Sequence, residues 1–360
     1  MINLNYGMEI ASCWVHSLDT PVKVSKMHSL AVTQTDTPPA VPPSAIRYRR
    51  SHDVEEHAQL SGWQLRYDQL GAGRFSGEML ELQLDGMQLI RDRANQAMLK
   101  QAATWPGAIA FAMPLRCPDP HLHCGGHSIH APSLLVGRGD RLPELRVSGE
   151  LDAVCIAIDE QSLQRTLHQQ QRELDLTRLS RCYHLLGKAN QQQLTDLFGS
   201  VLDRQAPGAT LLDHGTIRGA IRDAIVMHLL ELIDAEGDHS LPPSARRRMV
   251  DRARDYALAH PERPVNILEL CNQIGASRRK LQYCFQEALG INPLAYLRTI
   301  RLNAVHRQLR RASEADSVQS IAADWGFWHL SRFASDYRQL FGCKPSETLR
   351  QARQHCAENG

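Results

Sequence analysis

A chain of 360 residues, 42% hydrophobic and 22% charged, is long enough for two domains with cores of their own and ordinary for a globular protein. No apolar run reaches the roughly 18 residues of a membrane span, and the first 30 residues lack the unbroken apolar core of a signal peptide. Nine cysteines in no framework or Cys-x-x-Cys spacing suit reduced thiols in a cytoplasm. Residues 1–45 read as a tail and linker, because Thr35 to Pro43 is too proline-rich for helix or sheet. Met1 and Met27 are both compatible starts.

From Trp63 to Asp159 the hydrophobic period is mostly two. Glu78–Leu84 and part of Met87–Arg91 alternate, and Val154–Ile158 is a continuous apolar run suited to a buried strand. Six to eight short strands are predicted, suggesting a small barrel or sandwich, with a cupin-like β-barrel and attached helices over residues 46–235 as the expected form. Its aromatic and sulfur-bearing residues Trp63, Phe75, Trp105, Phe111 and Met113 are candidates to line a ligand cavity. Cys117, His121, His123, Cys124, His127 and His130 crowd one stretch and carry metal-ligating chemistry. Strand alternation puts His121 and His123 on one side. Against a metal stand the missing acidic partner and the adjacent Gly125-Gly126, so neither metal nor cofactor is assigned. Asp119-Pro120-His121 starts like a cobalamin loop, but Cys124 occupies the expected glycine position and no βαβ pattern surrounds it.

Helical periodicity takes over near Gln161. Ile217, Ala220, Ile221, Ala224, Ile225, Leu229 and Leu232 form one apolar stripe, suited to its own barrel or to a copy in a dimer. Glu236 to Pro243 reads as an interdomain linker.

Charge is segregated along the chain. Residues 244–355 hold 19 Lys and Arg against 10 Asp and Glu, while the remainder holds 22 against 29. A basic end on an acidic body points to a polyanion as partner. Within that end one pattern occurs twice. Leu270-Cys271 to Ile274-Gly275, then Leu281 and Phe285, closes on Gly290-Ile291-Asn292-Pro293. Ile321-Ala322 to Trp325-Gly326, then Phe333 and Tyr337, closes on Gly342-Cys343-Lys344-Pro345. Each copy is a helix, a glycine turn and a second helix with paired apolar residues on one face.

The first reading helix is predicted from Ser277 to about Leu289. It presents Ser277, Arg278, Arg279, Lys280, Gln282 and Tyr283 near its start, where a helix in the major groove meets base edges. Arginine suits bidentate pairing to guanine and glutamine to adenine. The second, about Trp328 to Leu340, presents His329, Ser331, Arg332 and Ser335. Between them Pro293–Arg311 forms a long helix carrying Arg298, Arg301, Arg307, Arg310 and Arg311. Arg301 is a candidate DNA contact, and replacing Arg301 or Arg307 should weaken binding on all sequences alike if either touches phosphate. Its roughly 28 Å length matches neighbouring major-groove turns about 34 Å apart.

Ile300-Arg301-Leu302-Asn303-Ala304-Val305, Gly326-Phe327 and Phe341-Gly342-Cys343-Lys344-Pro345-Ser346 resemble the AraC/XylS family of bacterial transcription regulators over about 110 residues. That resemblance implies two helix-turn-helix units binding tandem major-groove segments, often as a dimer. Trp328-His329 departs from the family's small polar residues and Tyr337 from its usual phenylalanine. A narrower set, Trp325 to Leu330, Leu270 to Gln273, Tyr67 to Leu70 and Gly73 to Glu78, looks like the ethanolamine-utilisation operon regulators, implying ethanolamine and adenosylcobalamin as effectors.

The expectation is therefore an α+β multidomain protein, its β-rich sensor over residues 46–235 followed by a linker at 236–243. An all-α double helix-turn-helix domain over residues 244–355 completes it. The expected function is cytoplasmic promoter-DNA binding and activation under a small-molecule effector, with RNA polymerase as partner and a homodimer open. Enzymatic activity has no phosphate-loop, Gly-x-Ser-x-Gly or His-Glu-x-x-His motif behind it. The alternatives are a cupin-like metal-binding enzyme or metal sensor fused to a DNA-binding domain, and an architectural DNA-binding protein. The β-rich half argues against the latter.

Overall fold

The computed structural model describes residues 46–116, 122–129, 134–171, 183–186, 191–202, 212, 214–233 and 239–359. The tail and linker expected over residues 1–45, together with Cys117, His121 and His130, lie outside them. The N-terminal half begins with β1 (Ile46–Ser51), the short α1 (Val54–Ala58), β2 (Gln64–Gln69), β3 (Gly77–Leu84), β4 (Met87–Ala94) and β5 (Met98–Ala103). It continues through β6 (Ala108–Arg116), β7 (Leu122–Cys124), β8 (His127–Ile129), β9 (Leu134–Arg138), β10 (Leu145–Val147) and β11 (Leu151–Asp159). Then come α2 (Glu160–Gln169), β12 (Tyr183–Leu186), α3 (Gln191–Val201), α4 (Gly215–Ile233) and β13 (His239–Leu241).

Among the described residues these strands make two antiparallel sheets, not a closed barrel. The larger runs β1-β3-β4-β11-β6-β9-β12-β13 and the smaller β2-β5-β10-β7-β8. Among the described residues ten strands lie between Trp63 and Asp159, against the six to eight expected, because β7, β8 and β10 are three residues each and too short to show a period. The long central strands β4, β6 and β11 carry apolar side chains to both faces. On one face Leu82, Leu89, Phe111, Met113, Val154 and Ile156 pack against Leu163 of α2, Phe198 of α3 and Ile225, Val226, Leu229 and Leu230 of α4. Of the predicted stripe, Ile225 and Leu229 are buried in this core and Ile221 packs against it, while Ala220 is exposed. The other face meets the smaller sheet across Trp63, Met79, Ile90, Trp105 and Ala157. Burial on both faces explains why Gln83, Gln88 and Asp92, polar positions of alternating strands, are 3%, 1% and 1% exposed.

The C-terminal half is helical throughout: α5 (Ala245–Ala259), α6 (Ile267–Ile274), α7 (Arg278–Leu289), α8 (Pro293–Arg310), α9 (Val318–Asp324), α10 (Leu330–Phe341) and α11 (Pro345–Asn359). No helix among the described residues is long and apolar enough to cross a membrane. Residues 239–244, the described end of the stretch read as a linker and the residue after it, are tied to the N-terminal half. His239–Leu241 pairs with β12, Ser244 N–H donates to the Gly125 carbonyl at 2.8 Å and His127 Nε2 lies 2.9 Å from the Pro242 carbonyl. Gly126 permits this approach, for a Cβ there would stand 2.5 Å from Ser244 Oγ.

The smaller sheet rests on the helical half. Tyr67, Phe75, Met98, Leu122 and Val147 share a core with Leu302, Val305 and Leu309 of α8 and with Phe333, Tyr337 and Phe341 of α10. The first helical unit has a second core of Leu270, Leu281, Phe285, Leu289, Tyr296 and Ile300, to which β5 adds Leu99.

Candidate nucleic-acid interface

Each helical unit is built by the same local rules. Asn266 caps α6 through its side-chain oxygen on Glu269 N–H. The helix ends at Gly275 in the left-handed region, and Ser277 caps α7 by accepting from Lys280 N–H at 3.2 Å. Leu281, Phe285 and Ala288 are buried as predicted, joined by Cys284 and Leu289. That orientation leaves Ser277, Arg278, Arg279, Lys280, Gln282 and Tyr283 exposed. Arg246 of α5 stacks 5.2 Å above the Tyr283 ring and donates to its hydroxyl at 3.2 Å. This contact went unread in the sequence because its partners are 37 positions apart.

In the second unit Ser317 and Ser320 form a reciprocal capping box for α9. The second reading helix starts at Leu330, two residues later than predicted, with His329 as an N-cap that makes no side-chain cap bond. Trp328 therefore stands before the helix, 65% exposed. Phe333, Tyr337, Leu340 and Phe341 are buried, while His329, Ser331, Arg332 and Ser335 are exposed. An ion pair between Arg298 and Asp336 joins α8 to α10, and α8, 18 residues long, separates the units by about 27 Å of helix.

The arginines of α8 have other occupations. Arg301 is 7% exposed and donates to the Arg263 carbonyl at 2.9 Å; burial lowers its pKa. Arg307 meets Asp68 of β2 at 2.6 Å, Arg311 meets Glu55 of α1 at 2.9 Å, and Arg310 Nε lies 3.8 Å from Asp53. Asp53 also sits 2.9 Å from His306 Nε2. Although burial works to raise its pKa, His306 and Arg310 hold it well below the usual carboxylate range. On α5, ahead of the first unit, Arg247 and Arg254 both form ion pairs with Glu144 of the N-terminal half, the latter at 2.9 Å. Part of the segregated positive charge is thus answered by acidic residues of the same chain. These guanidiniums hold the two halves together at a seam.

Between the sheets lies a second feature, a cavity of about 40 Å³ lined by Trp63, Leu65, Tyr67, Asp92, Lys100 and Cys155, with Phe111 also on its wall. Of the other predicted lining residues, Trp105 and Met113 are core and Phe75 faces the seam. Asp92 accepts from Tyr67 Oη at 2.9 Å, lies 2.9 Å from His57 Nε2 and pairs with Lys100. Burial opposes its charge, yet Lys100 and His57 outweigh that and hold its pKa far below the ordinary value. Burial pushes the Cys155 thiol up to about 11. Among the described residues no group of three or more His, Cys, Asp or Glu is arranged to hold a metal ion.

Two helix-turn-helix units, joined by one helix and exposing the first turns of their second helices, define a DNA-reading region. A helix-turn-helix domain family matches residues 270–351. The probable thc operon regulatory protein of Rhodococcus erythropolis is 40% identical over 124 residues, 33% of this chain and 37% of its own. XylDLEGF operon transcriptional activator 2 of Pseudomonas putida is 30% identical over 110 residues, 30% of this chain and 70% of its own. The crystal structure of a probable AraC family transcriptional regulator from Rhodopseudomonas palustris is 36% identical, with 29% of this chain and 97% of that one covered and a TM-score of 0.28. This chain belongs to the AraC/XylS family of transcription regulators. Its matched stretch spans a little over a third of the length of the thc regulator and of a longer xyl activator, and these relatives are regulators, not enzymes.

Proposed function

We propose that the chain is a cytoplasmic, effector-responsive activator. Residues 244–355 read promoter DNA, residues 46–235 sense a small molecule, and RNA polymerase is the downstream partner. The observation carrying the DNA reading is the pair of exposed first turns, Arg278–Tyr283 on α7 and His329–Ser335 on α10, each backed by a buried apolar face. Selection of duplexes from a random pool by the full-length protein tests it. The recovered site should show two segments about one helical turn apart, with affinity falling steeply as salt rises. Recovery of no preferred sequence, or affinity indifferent to salt, would overturn it.

The effector is assigned to the cavity between the sheets. Its 40 Å³ holds roughly three waters, room for a molecule of ethanolamine's size but not for adenosylcobalamin. Asp92 already has Tyr67, His57 and Lys100 as partners, so a cationic amine enters only by displacing Lys100. Ethanolamine, indicated by the subgroup resemblance, is the first compound to test. Binding should raise the melting temperature of the full chain by mass action, and Cys155→Trp, which fills the cavity, should abolish the shift. No shift removes ethanolamine as effector and leaves the DNA reading untouched. A homodimer, the other use the sequence left open for α4, is tested by sedimentation.

A further inference from the structure

At the seam between the halves opens a cleft of about 420 Å³, a volume within the range of small-molecule sites. It is walled on one side by α1 and the β2–β3 turn and on the other by α8, the end of α10 and the start of α11. The close approach of these walls depends on Gly342, at φ +71° after α10, whose Cβ would stand 2.9 Å from Arg74 N. Three arginines line the cleft: Arg74 from the N-terminal half, Arg310 from α8 and Arg350 from α11. Arg74 and Arg350 are exposed and have no carboxylate in ion-pair reach among the described residues.

The acids of the lining are already occupied. Asp53 accepts from the N–H groups of Glu55 and Glu56 at 2.9 and 3.0 Å and sits beside His306. Glu56 accepts from Ser51 Oγ at 3.2 Å, and Glu347 from Lys344 N–H at 2.9 Å. Each of these acids thus already accepts from the protein, whereas the two guanidinium forks, one from each wall, have no ion-pair partner among the described residues. Guanidinium forks recognise carboxylates in a bidentate geometry. Phe75 and Phe341 add apolar surface between the charged groups.

We propose that this cleft binds a small organic dianion, a short-chain dicarboxylate with one carboxylate on Arg74 and the other on Arg350. Such a ligand bridges the two halves. It favours the arrangement in which they are closed on each other, in proportion to its preference for that state. The site is separate from the cavity between the sheets and rests on the chemistry of the cleft, not on the DNA reading.

Adipate is titrated into the full-length protein by calorimetry. Hexanoate, with one carboxylate, and hexane-1,6-diol, with none, serve as charge controls. Adipate should bind saturably at one site, about ten-fold or more tighter than hexanoate, and the diol should not bind. Arg74→Gln and Arg350→Gln should each weaken adipate by about ten-fold, while Arg165→Gln, an exposed arginine on α2, should change nothing. Circular dichroism checks that these surface variants are folded. The proposal is overturned by absence of saturable adipate binding, by hexanoate binding as tightly as adipate, or by undiminished binding in both cleft variants.

Discussion

Asn303 and Gln69 hold each other by two hydrogen bonds across the seam: Gln69 N–H donates to Asn303 Oδ1 at 2.8 Å, and Asn303 Nδ2 donates to the Gln69 carbonyl at 2.9 Å. A side-chain amide on α8 thereby satisfies both backbone groups at the end of β2. Gln69 continues the connection by donating from Nε2 to the Leu340 carbonyl at 2.6 Å. One strand end is fixed at once to the connecting helix and to the second reading helix.

Asn303→Ala should destabilise the full-length protein by about 2–6 kcal/mol, since it strands two buried backbone groups at about 1–3 kcal/mol each. The fragment 244–360 should lose less, because there Asn303 keeps only its bond to the Thr299 carbonyl of its own helix, at 2.9 Å, and strands no group of β2. Urea midpoints of both forms, wild type and variant, give the comparison. Equal losses in the two would place the role of Asn303 inside the helical half instead of at the seam.

The helical half was largely legible in the sequence because its signals are local. Ser277, Gly290 and the Leu281/Phe285 pair fix α7 within a dozen residues, and Pro293 opens α8 where the sequence places it. The sheets were less legible. Strands such as β10, pairing with β5 and β7 from distant parts of the chain, leave no periodic trace in three residues. The seam was not legible at all. Arg307 and Arg311 look like any cation of a DNA-binding helix, and only the fold brings Asp68 and Glu55 to them. Asn303 sits in the apolar run Leu302 to Val305 and is 1% exposed; a polar residue at such a position was the one available hint.

Reading and holding arginines should separate experimentally. Arg279→Ala should weaken binding to the selected site by about 1–3 kcal/mol and relax discrimination at one base pair. Arg307→Ala should leave the DNA affinity of the fragment 244–360 unchanged, while lowering the melting temperature of the full chain through loss of the Asp68 pair. Electrophoretic mobility shifts on the selected and single-substituted sites decide both. A uniform loss of affinity on every sequence in the Arg307 variant fragment would return that residue to the phosphate backbone.

Acid should weaken the structure at two identifiable points. Asp53 and Asp92 have pKa values held below the ordinary carboxylate value, so the unfolded chain takes up protons first, near pH 3.9. Their contribution is fully present above that pH and is lost as pH falls below it toward the depressed folded values. Stability by urea unfolding should therefore fall from about pH 4 downward. Asp92→Asn should be less stable at neutral pH but show a shallower decline. A parallel decline in wild type and variant would mean that other carboxylates carry the acid sensitivity.

Trp328 gives the last test. It stands just before the second reading helix with Leu330 beside it, 65% and 41% exposed, so neither contributes much to the core. Trp328→Ala should change stability by no more than about 0.5 kcal/mol. In the proposed DNA complex this apolar pair lies at the helix end that meets base edges, where the one apolar feature of the major groove is the thymine methyl. Replacing thymine by deoxyuridine in the second half of the selected site removes only that methyl, with an expected loss of about 0.8 kcal/mol for the buried carbon. The same replacement should make no difference to the Trp328→Ala protein. If both proteins lose equally, the methyl is read by another residue, and Trp328 has no part in recognising that base.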